Sequence, residues 1–449
     1  MIDTRLSRRD SMTLLTAAGV GAALATGCKK QPAQQAAEPD PQVVTDRLRR
    51  MKWWHEAKFG MFIHFGLFAV LAKDVWNYES EGWTMAEYAP LITRFNPKPG
   101  SPREWAKLAR RAGQKYMVLT TKNHDGFCLW DTKTTKFSSM YAPCKRDIIA
   151  EYVEAARAEG IRVGYYFSIF DWHHPDGERC ADDEGARRRM VDFTHEQLRE
   201  LLSNYGKIDV LWYDGARPNL GAAGWESARM NKMVFELQPD IVVNNRNALE
   251  GDFSTPEQKI VAEKEGRAWE SCMTLNQSWG YQAADDEWKT PKEVLRNLVL
   301  CARDNGNYLV SIGPRPDGSV QKGAVDLLTK IGEWMDRNGS AIYGSERSKV
   351  VRYQYAGITR KGNTLFLHVH AWPGAEIRIG AIVTKAVSAR LLATGKEIKF
   401  DQDSERLRLY DLPEKAPDQP MTVIAIDFES EPVQDMVTNR RSKKRPAEA

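Results

Sequence analysis

Residues 101–172 contain SPREWAKLARRAG (101–113), YMVLTTKNHD (116–125), RDIIAEYVEAARAEG (146–160) and RVGYYFSIFDW (162–172). The first and third carry apolar residues at helical spacing, with Ser101 as a cap, Pro102 in the first turn and Gly113 as a stop. The second and fourth are near-continuous apolar runs of strand length, as expected of strands buried on both faces of a parallel sheet. The alternation continues in both directions. FGMFIHFG (59–66), IDVLWYDG (208–215), DIVVNNR (240–246), WESCMT (269–274) and YLVSIGP (308–314) read as further strands, and TPKEVLRNLVLCARDNG (290–306) as another helix. Seven strands alternating with helices over residues 45–344 predict an α/β fold, a (β/α)8-like TIM barrel with one strand unrecognised or irregular. A doubly wound sheet is the alternative, but no Gly-rich GxGxxG turn favours it.

After residue 345 the period changes to two. TLFLHVHAW, EIRIGAIVT, RLRLYDL and TVIAIDFE alternate apolar and polar positions, separated by turn residues such as Lys361-Gly362-Asn363 and Thr394-Gly395. A small antiparallel β-sandwich over 345–430 is predicted, followed by a disordered basic tail at 431–449.

The whole chain has 449 residues, 42% hydrophobic and 28% charged, a globular composition. Its net charge of +4 is concentrated at the ends: the leader 1–27 contributes +1 and NRRSKKRPAEA (439–449) contributes +4, so residues 28–438 carry −1. A nucleic-acid groove needs a basic field on the folded body, and none is expected here. Cys128, Cys144, Cys180, Cys272 and Cys301 are widely spaced with no CxxC pair, which excludes a zinc ribbon and identifies no disulfide framework.

The N-terminus reads as an address. RLSRR at 5–9 precedes the apolar run MTLLTAAGVGAALAT, too short to span a bilayer, and Gly27-Cys28 follows. Paired Arg8-Arg9 resembles a twin-arginine signal, and Leu24 to Cys28 resembles a lipobox with Cys28 as the lipidated residue. Residues 1–27 are therefore expected to be a signal peptide and 28–44 a flexible tether. Export to the periplasm, or to a membrane surface through a lipid at Cys28, follows from this reading.

Chemistry in a β/α barrel sits at the C-terminal ends of the strands. Those ends carry His64, Asn123-His124-Asp125, Asp171 to His174, Trp212, Asp214, Asn245-Arg246 and Glu270, and 13 of the 14 tryptophans precede residue 340. Aromatic rings stack on the C–H face of a sugar while polar groups take its hydroxyls. Glycoside hydrolysis needs two carboxyl groups flanking the scissile bond. Asp214, ending IDVLWYD, is the best nucleophile; for the second group, Glu257 in GDFSTPEQK and Glu270 in AWESC are equal contenders on spacing. His173-His174 and the acidic residues that follow fit no standard metal-ligand spacing, so neither metal nor cofactor is expected.

The motifs WHEAKFGMFIHFGLFAV, KNHDGFCLWDTKTTKF, RVGYYFSIFDWHHPD, IDVLWYDG, GDFSTPEQ, AWESCMTLNQSWGY and NGNYLVSIGPRPDGSV, in this order, resemble the α-L-fucosidases of glycoside hydrolase family 29. The resemblance runs from about Trp53 to Gly344. It implies a β/α barrel with a C-terminal β-sandwich and a retaining double displacement at an α-L-fucosyl bond of an oligosaccharide or glycoconjugate. It also implies Asp214 as nucleophile, Glu257 as acid/base, and His64, His124, Trp212, Tyr166, Arg246 and Trp83 as substrate-binding residues. Asn123 stands where many members have His, which bears on the preference for fucose over a related sugar such as galactose. A non-catalytic, anchored fucose-binding protein is the alternative from another class, and retention of both Asp214 and Glu257 weighs against it.

Overall fold

The structure, a computed structural model, describes residues 41–435 except 216–217, 263–265 and 352. The leader, Cys28, most of the expected tether and the tail from 436 lie outside the described residues. All seven expected barrel strands form: β1 (Phe59–Ile63), β2 (Tyr116–Lys122), β3 (Arg162–Ser168), β4 (Val210–Asp214), β5 (Val242–Val243), β6 (Glu270–Thr274) and β7 (Asn307–Ile312). They pair in parallel in the order β5-β4-β3-β2-β1-β7-β6, so the first and last strands of the set lie side by side, as in a closing barrel.

The stave missing from the sequence pattern lies between β5 and β6. Phe253 pairs in parallel with Asn244, just past β5, while Ser254 and Glu257 pair in parallel with Trp269 and Cys272. Glu270 N–H donates to Ser254 O at 2.8 Å, and Gln258 N–H to Cys272 O at 3.0 Å. This segment, FSTPE, has one apolar anchor, and Pro256 removes a ladder donor, so it makes isolated pairs instead of a regular strand. It delivers Glu257 to the barrel rim.

Residues along the strands divide between two cores. Phe62, Tyr116, Val118, Tyr166, Val210, Trp212 and Leu309 fill the barrel together with Met51 and Trp54 of the helix Pro41–Ala57. Asn307 Nδ2, at the start of β7, donates to Trp54 O at 2.9 Å and ties that helix to the N-terminal ends of the strands. The helix thus begins at Pro41, inside the segment expected to be a flexible tether. Alternate strand residues face the outer helices, which makes the strands buried on both sides and explains their continuous apolar runs. The helix Ser101–Arg111 starts one residue earlier than the capping pattern suggests. Gly100 holds the N-cap position with φ 79°, and the Ser101 hydroxyl donates to Lys98 O at 2.8 Å.

The C-terminal strands are β8 (Ala356–Lys361), β9 (Thr364–Val369), β10 (Ile377–Gly380), β11 (Ala386–Leu391), β12 (Lys399–Gln402), β13 (Arg406–Tyr410) and β14 (Thr422–Phe428). They form antiparallel sheets β11-β14-β9-β8 and β10-β13-β12 around Leu365, Leu367, Ile379, Leu407, Leu409 and Ile424. The four-stranded sheet also buries Phe366, Val423 and Ala425 in the barrel's outer core, near Trp334 of the helix Lys322–Asn338, whose indole N–H donates to Met421 O at 2.7 Å. Residues 431–435 depart from the disorder expected of the tail. Val433 pairs with Lys349 and Gln434 with Ile382. The five described cysteines are all free thiols.

Helices 101–111 and 322–338 pack at Gly332, where a Cβ would overlap the Arg111 carbonyl. Gly332→Ala is expected to destabilise the fold by about 1–3 kcal/mol through overpacking. Thermal denaturation would register this as a lowered midpoint; an unchanged midpoint would show that the helix pair separates freely.

Candidate active site

A cavity of about 400 Å³ opens at the C-terminal ends of the strands. His64 follows β1, Asn123 and His124 follow β2, Tyr166 belongs to β3, Trp212 and Asp214 belong to β4, Arg246 follows β5 and Glu257 ends the irregular stave; all eight line the cavity. Sequence reasoning missed Phe62, Trp76 and Trp279, which line it as well. Two tryptophans in the segments after β1 are distinguished only by the fold. Trp76 packs its ring 5.3 Å from His124, whereas Trp83 lies outside the cavity and donates its indole N–H to Glu81 Oε2 at 3.0 Å.

Arg246 organises the charges. Its Nη1 donates to Asp214 Oδ1 at 3.1 Å and its Nη2 to Glu257 Oε2 at 2.7 Å, so one guanidinium bridges both carboxylates. Nε donates to Thr255 Oγ1 at 2.9 Å, and the guanidinium carbon lies 4.7 Å above the Trp212 ring, a cation–π contact. Burial opposes the Arg246 charge, but Asp214 first, and Glu257 after it, hold its pKa above the ordinary value. Tyr166 O–H donates to the other carboxylate oxygen, Asp214 Oδ2, at 2.8 Å, and His124 Nε2 stands 3.8 Å from that oxygen. Burial alone would push the Asp214 carboxyl up, yet Arg246, His124 and the Tyr166 hydrogen bond outweigh it and hold it below its ordinary range. Asp214 is therefore a carboxylate at neutral pH.

Burial pushes His64 down to about 3, with Asp214 opposing and His124 adding to the shift, so its imidazole is neutral. Asn123 Oδ1 lies 3.2 Å from the Tyr166 hydroxyl, and its Nδ2 is buried without a partner among the described residues. Gly215 has φ 65°, and a Cβ there would lie 2.7 Å from His124 Cε1, so glycine leaves room for the imidazole.

A buried pair supports this rim. Lys122 Nζ donates to Asp171 Oδ2 at 3.2 Å, and Asp171 Oδ1 accepts the backbone N–H groups of His173 and His174, both at 2.9 Å. Trp172 N–H donates to His124 O at 2.8 Å, fastening the loops after β2 and β3 together. His173 stacks on Phe137 at 4.2 Å, a packing role. Glu270 is fully buried and does not reach the cavity. It accepts the Trp212 indole N–H at 3.1 Å and the Tyr116 hydroxyl. Of the two glutamates that spacing left equal, the fold brings only Glu257 to Asp214.

Paired carboxylates among aromatic rings at a barrel mouth place the chain among the glycoside hydrolases. A family model for alpha-L-fucosidase matches residues 24–340, and the chain belongs to this family, family 29 of the glycoside hydrolases. Its enzymatic class is α-L-fucosidase. The chain is similar to the solved alpha-L-fucosidase isoenzyme 1 from Paenibacillus thiaminolyticus, with 36% identity, a TM-score of 0.81, and coverage of 86% of this chain and 100% of that one. It is also similar to a family 29 α-L-fucosidase from Bacteroides thetaiotaomicron, solved as a trapped covalent intermediate in complex with 2-fluoro-fucosyl fluoride. That match has 29% identity, a TM-score of 0.79, and coverage of 85% of this chain and 96% of that one. Human plasma alpha-L-fucosidase is 31% identical over 356 residues, covering 70% of this chain and 73% of that protein.

Burial pushes Glu270 up to about 7, although hydrogen bonds from Tyr116 and Trp212 pull it down. The native state holds this proton more tightly than the unfolded chain, whose ordinary value is 4.5. The associated stability is full below pH 4.5 and is lost as pH rises toward 7. Denaturant titration across that window should show the gap between Glu270→Gln and wild type changing by about 3 kcal/mol in the variant's favour as pH rises. Parallel pH profiles for the two proteins would contradict the assignment.

Proposed function

We propose that the enzyme is a retaining exo-α-L-fucosidase in which Asp214 is the nucleophile and Glu257 the acid/base. The observation that carries this reading is the single guanidinium of Arg246 bridging the two carboxylates in one cavity. Asp214, held ionised, attacks the anomeric carbon while protonated Glu257 gives its proton to the leaving oxygen. Having given up its proton, Glu257 is left as a carboxylate beside Arg246. That is the form needed to deprotonate the incoming water, which cleaves the fucosyl-enzyme and restores Asp214. A retaining pair is expected to stand about 5–5.5 Å apart, with no room for an intervening water. The covalent intermediate trapped in the Bacteroides relative supports the same course here.

Trp212, Tyr166, Trp76 and Trp279 supply apolar walls, and His64, His124 and Asn123 supply hydrogen bonds for sugar hydroxyls. Asn123 favours a second reading, a preference extending to a galactose-like sugar, because its unpaired amide replaces the histidine common in the family. The natural substrate on this proposal is a fucosylated oligosaccharide or glycoconjugate, met outside the cytoplasm. The twin-arginine-like leader and the lipobox at Cys28 support export and lipid anchoring at the membrane surface.

Asp214→Gly should reduce turnover of an aryl α-L-fucoside to background, and azide should restore part of it as fucosyl azide. Near-parental activity without azide dependence would remove Asp214 from its role. Glu257→Ala should lower kcat about 10²–10⁴-fold on poor leaving groups and far less on dinitrophenyl fucoside. A comparison of nitrophenyl fucoside and galactoside turnover tests Asn123. Asn123→His should raise the fucose-to-galactose ratio of kcat/KM by about tenfold, the scale of one altered hydrogen bond. An unchanged ratio would place sugar selection elsewhere.

A further inference from the structure

Both cavity histidines have the inner ring nitrogen tied to a serine on the neighbouring strand. His64 Nδ1 is 2.7 Å from Ser311 Oγ of β7, and His124 Nδ1 is 2.7 Å from Ser168 Oγ of β3. A serine hydroxyl has one proton to donate. Ser168 Oγ donates to Phe170 O at 2.7 Å, and Ser311 Oγ donates to Trp279 O at 3.2 Å, with Ile312 O at 3.4 Å. A serine that gives its proton to those carbonyls accepts from imidazole, and that arrangement puts a hydrogen on Nδ1 of each ring.

The outer nitrogens meet different surroundings. His64 Nε2 has no partner among the described residues, and its ring is packed among Phe62, Tyr166 and Trp279 on the cavity wall. A second proton there would be a buried charge without a counter-ion. His124 Nε2 stands 3.8 Å from Asp214 Oδ2. A bare lone pair at that point would face carboxylate charge, whereas an N–H would complete an ion pair. The groups facing His124 include Asp214 from β4, His64 from beyond β1, and the neutral rings of Trp76 and Trp172; Arg246 and Glu257 reach it through Asp214.

We propose that Ser168 and Ser311 are positioning residues that give the two histidines the same inner tautomer and opposite outer polarity. His64 Nε2 is a bare acceptor, and His124 is a doubly protonated donor paired with the nucleophile. This deepens the fucosidase reading and rests on it. A sugar that fits brings a hydroxyl proton to His64 and a hydroxyl oxygen to His124, so the two contacts are not interchangeable. The imidazolium also keeps Asp214 ionised before attack.

The test is two-bond 1H–15N spectroscopy of the unliganded, 15N-histidine-labelled protein at pH 7, with the rings assigned by loss of signal in His64→Gln and His124→Gln. The expected spectrum has one protonated and one bare nitrogen on His64, the protonated one being Nδ1, and two protonated nitrogens on His124. Ser311→Ala should convert His64 to a mixture of tautomers and raise KM for an aryl fucoside about tenfold, with kcat within about twofold. Ser168→Ala should remove the second proton from His124 and lower kcat by about tenfold or more, and Ser168→Thr should restore both. A bare nitrogen on wild-type His124, a protonated Nε2 on His64, or spectra that neither serine variant alters would overturn the proposal. The wild-type spectrum decides even if a serine variant fails to fold. Because the spectra need no turnover, absence of fucoside hydrolysis would count against the fucosidase reading and leave this proposal to be judged separately.

Discussion

The site depends on one shared cation. Two carboxylates brought into one cavity repel each other, and one of them would normally take up a proton to relieve the strain. Arg246 donates to both, at 3.1 and 2.7 Å, while its flat face rests on Trp212, and it keeps Asp214 the ionised member of the pair. The guanidinium suits this position because its terminal nitrogens form a rigid fork, which a lysine ammonium could not reproduce. Trp212 is itself fixed from below by Glu270, so the buried glutamate supports the floor on which the charges are arranged.

The barrel supplies this arrangement through its least regular part. β5 has only two residues, and the stave that follows makes single backbone pairs with its neighbours. Regular strands there would direct side chains alternately in and out at fixed spacing. The Ser254-Thr255-Pro256-Glu257 segment instead places Thr255 against the guanidinium and Glu257 at its tip. The opposite side of the cavity is held more rigidly, by the buried Lys122–Asp171 pair and by serines at the ends of β3 and β7. The sandwich lies against the outer helices and contributes none of the cavity-lining residues.

The seven strands could be read from sequence because burial on both faces makes each a continuous apolar run. The eighth could not, since a polar segment containing proline has no strand period. Asp214 was legible because it ends a strand. Glu257 and Glu270 were not separable by spacing: one is 44% exposed at the side chain and the other is fully buried, a difference created by closure of the barrel. Trp76 and Trp83 follow the same strand, and no local pattern says which indole turns into the cavity. The serine–histidine contacts join residues far apart in the chain but on neighbouring strands, so no local pattern announces them. At the ends, Pro41 begins a helix where composition suggested a tether, and Val433 and Gln434 pair with the sandwich where a basic tail was expected.

The most direct test of the account is to inactivate the enzyme with a 2-fluoro-fucosyl fluoride, digest it, and locate the label by peptide mass spectrometry. The account predicts one fucosyl equivalent, bound as an ester to the side chain of Asp214 in the peptide containing IDVLWYDG. A label on Glu257 or Glu270, or full turnover with no covalent species at any time, would contradict it.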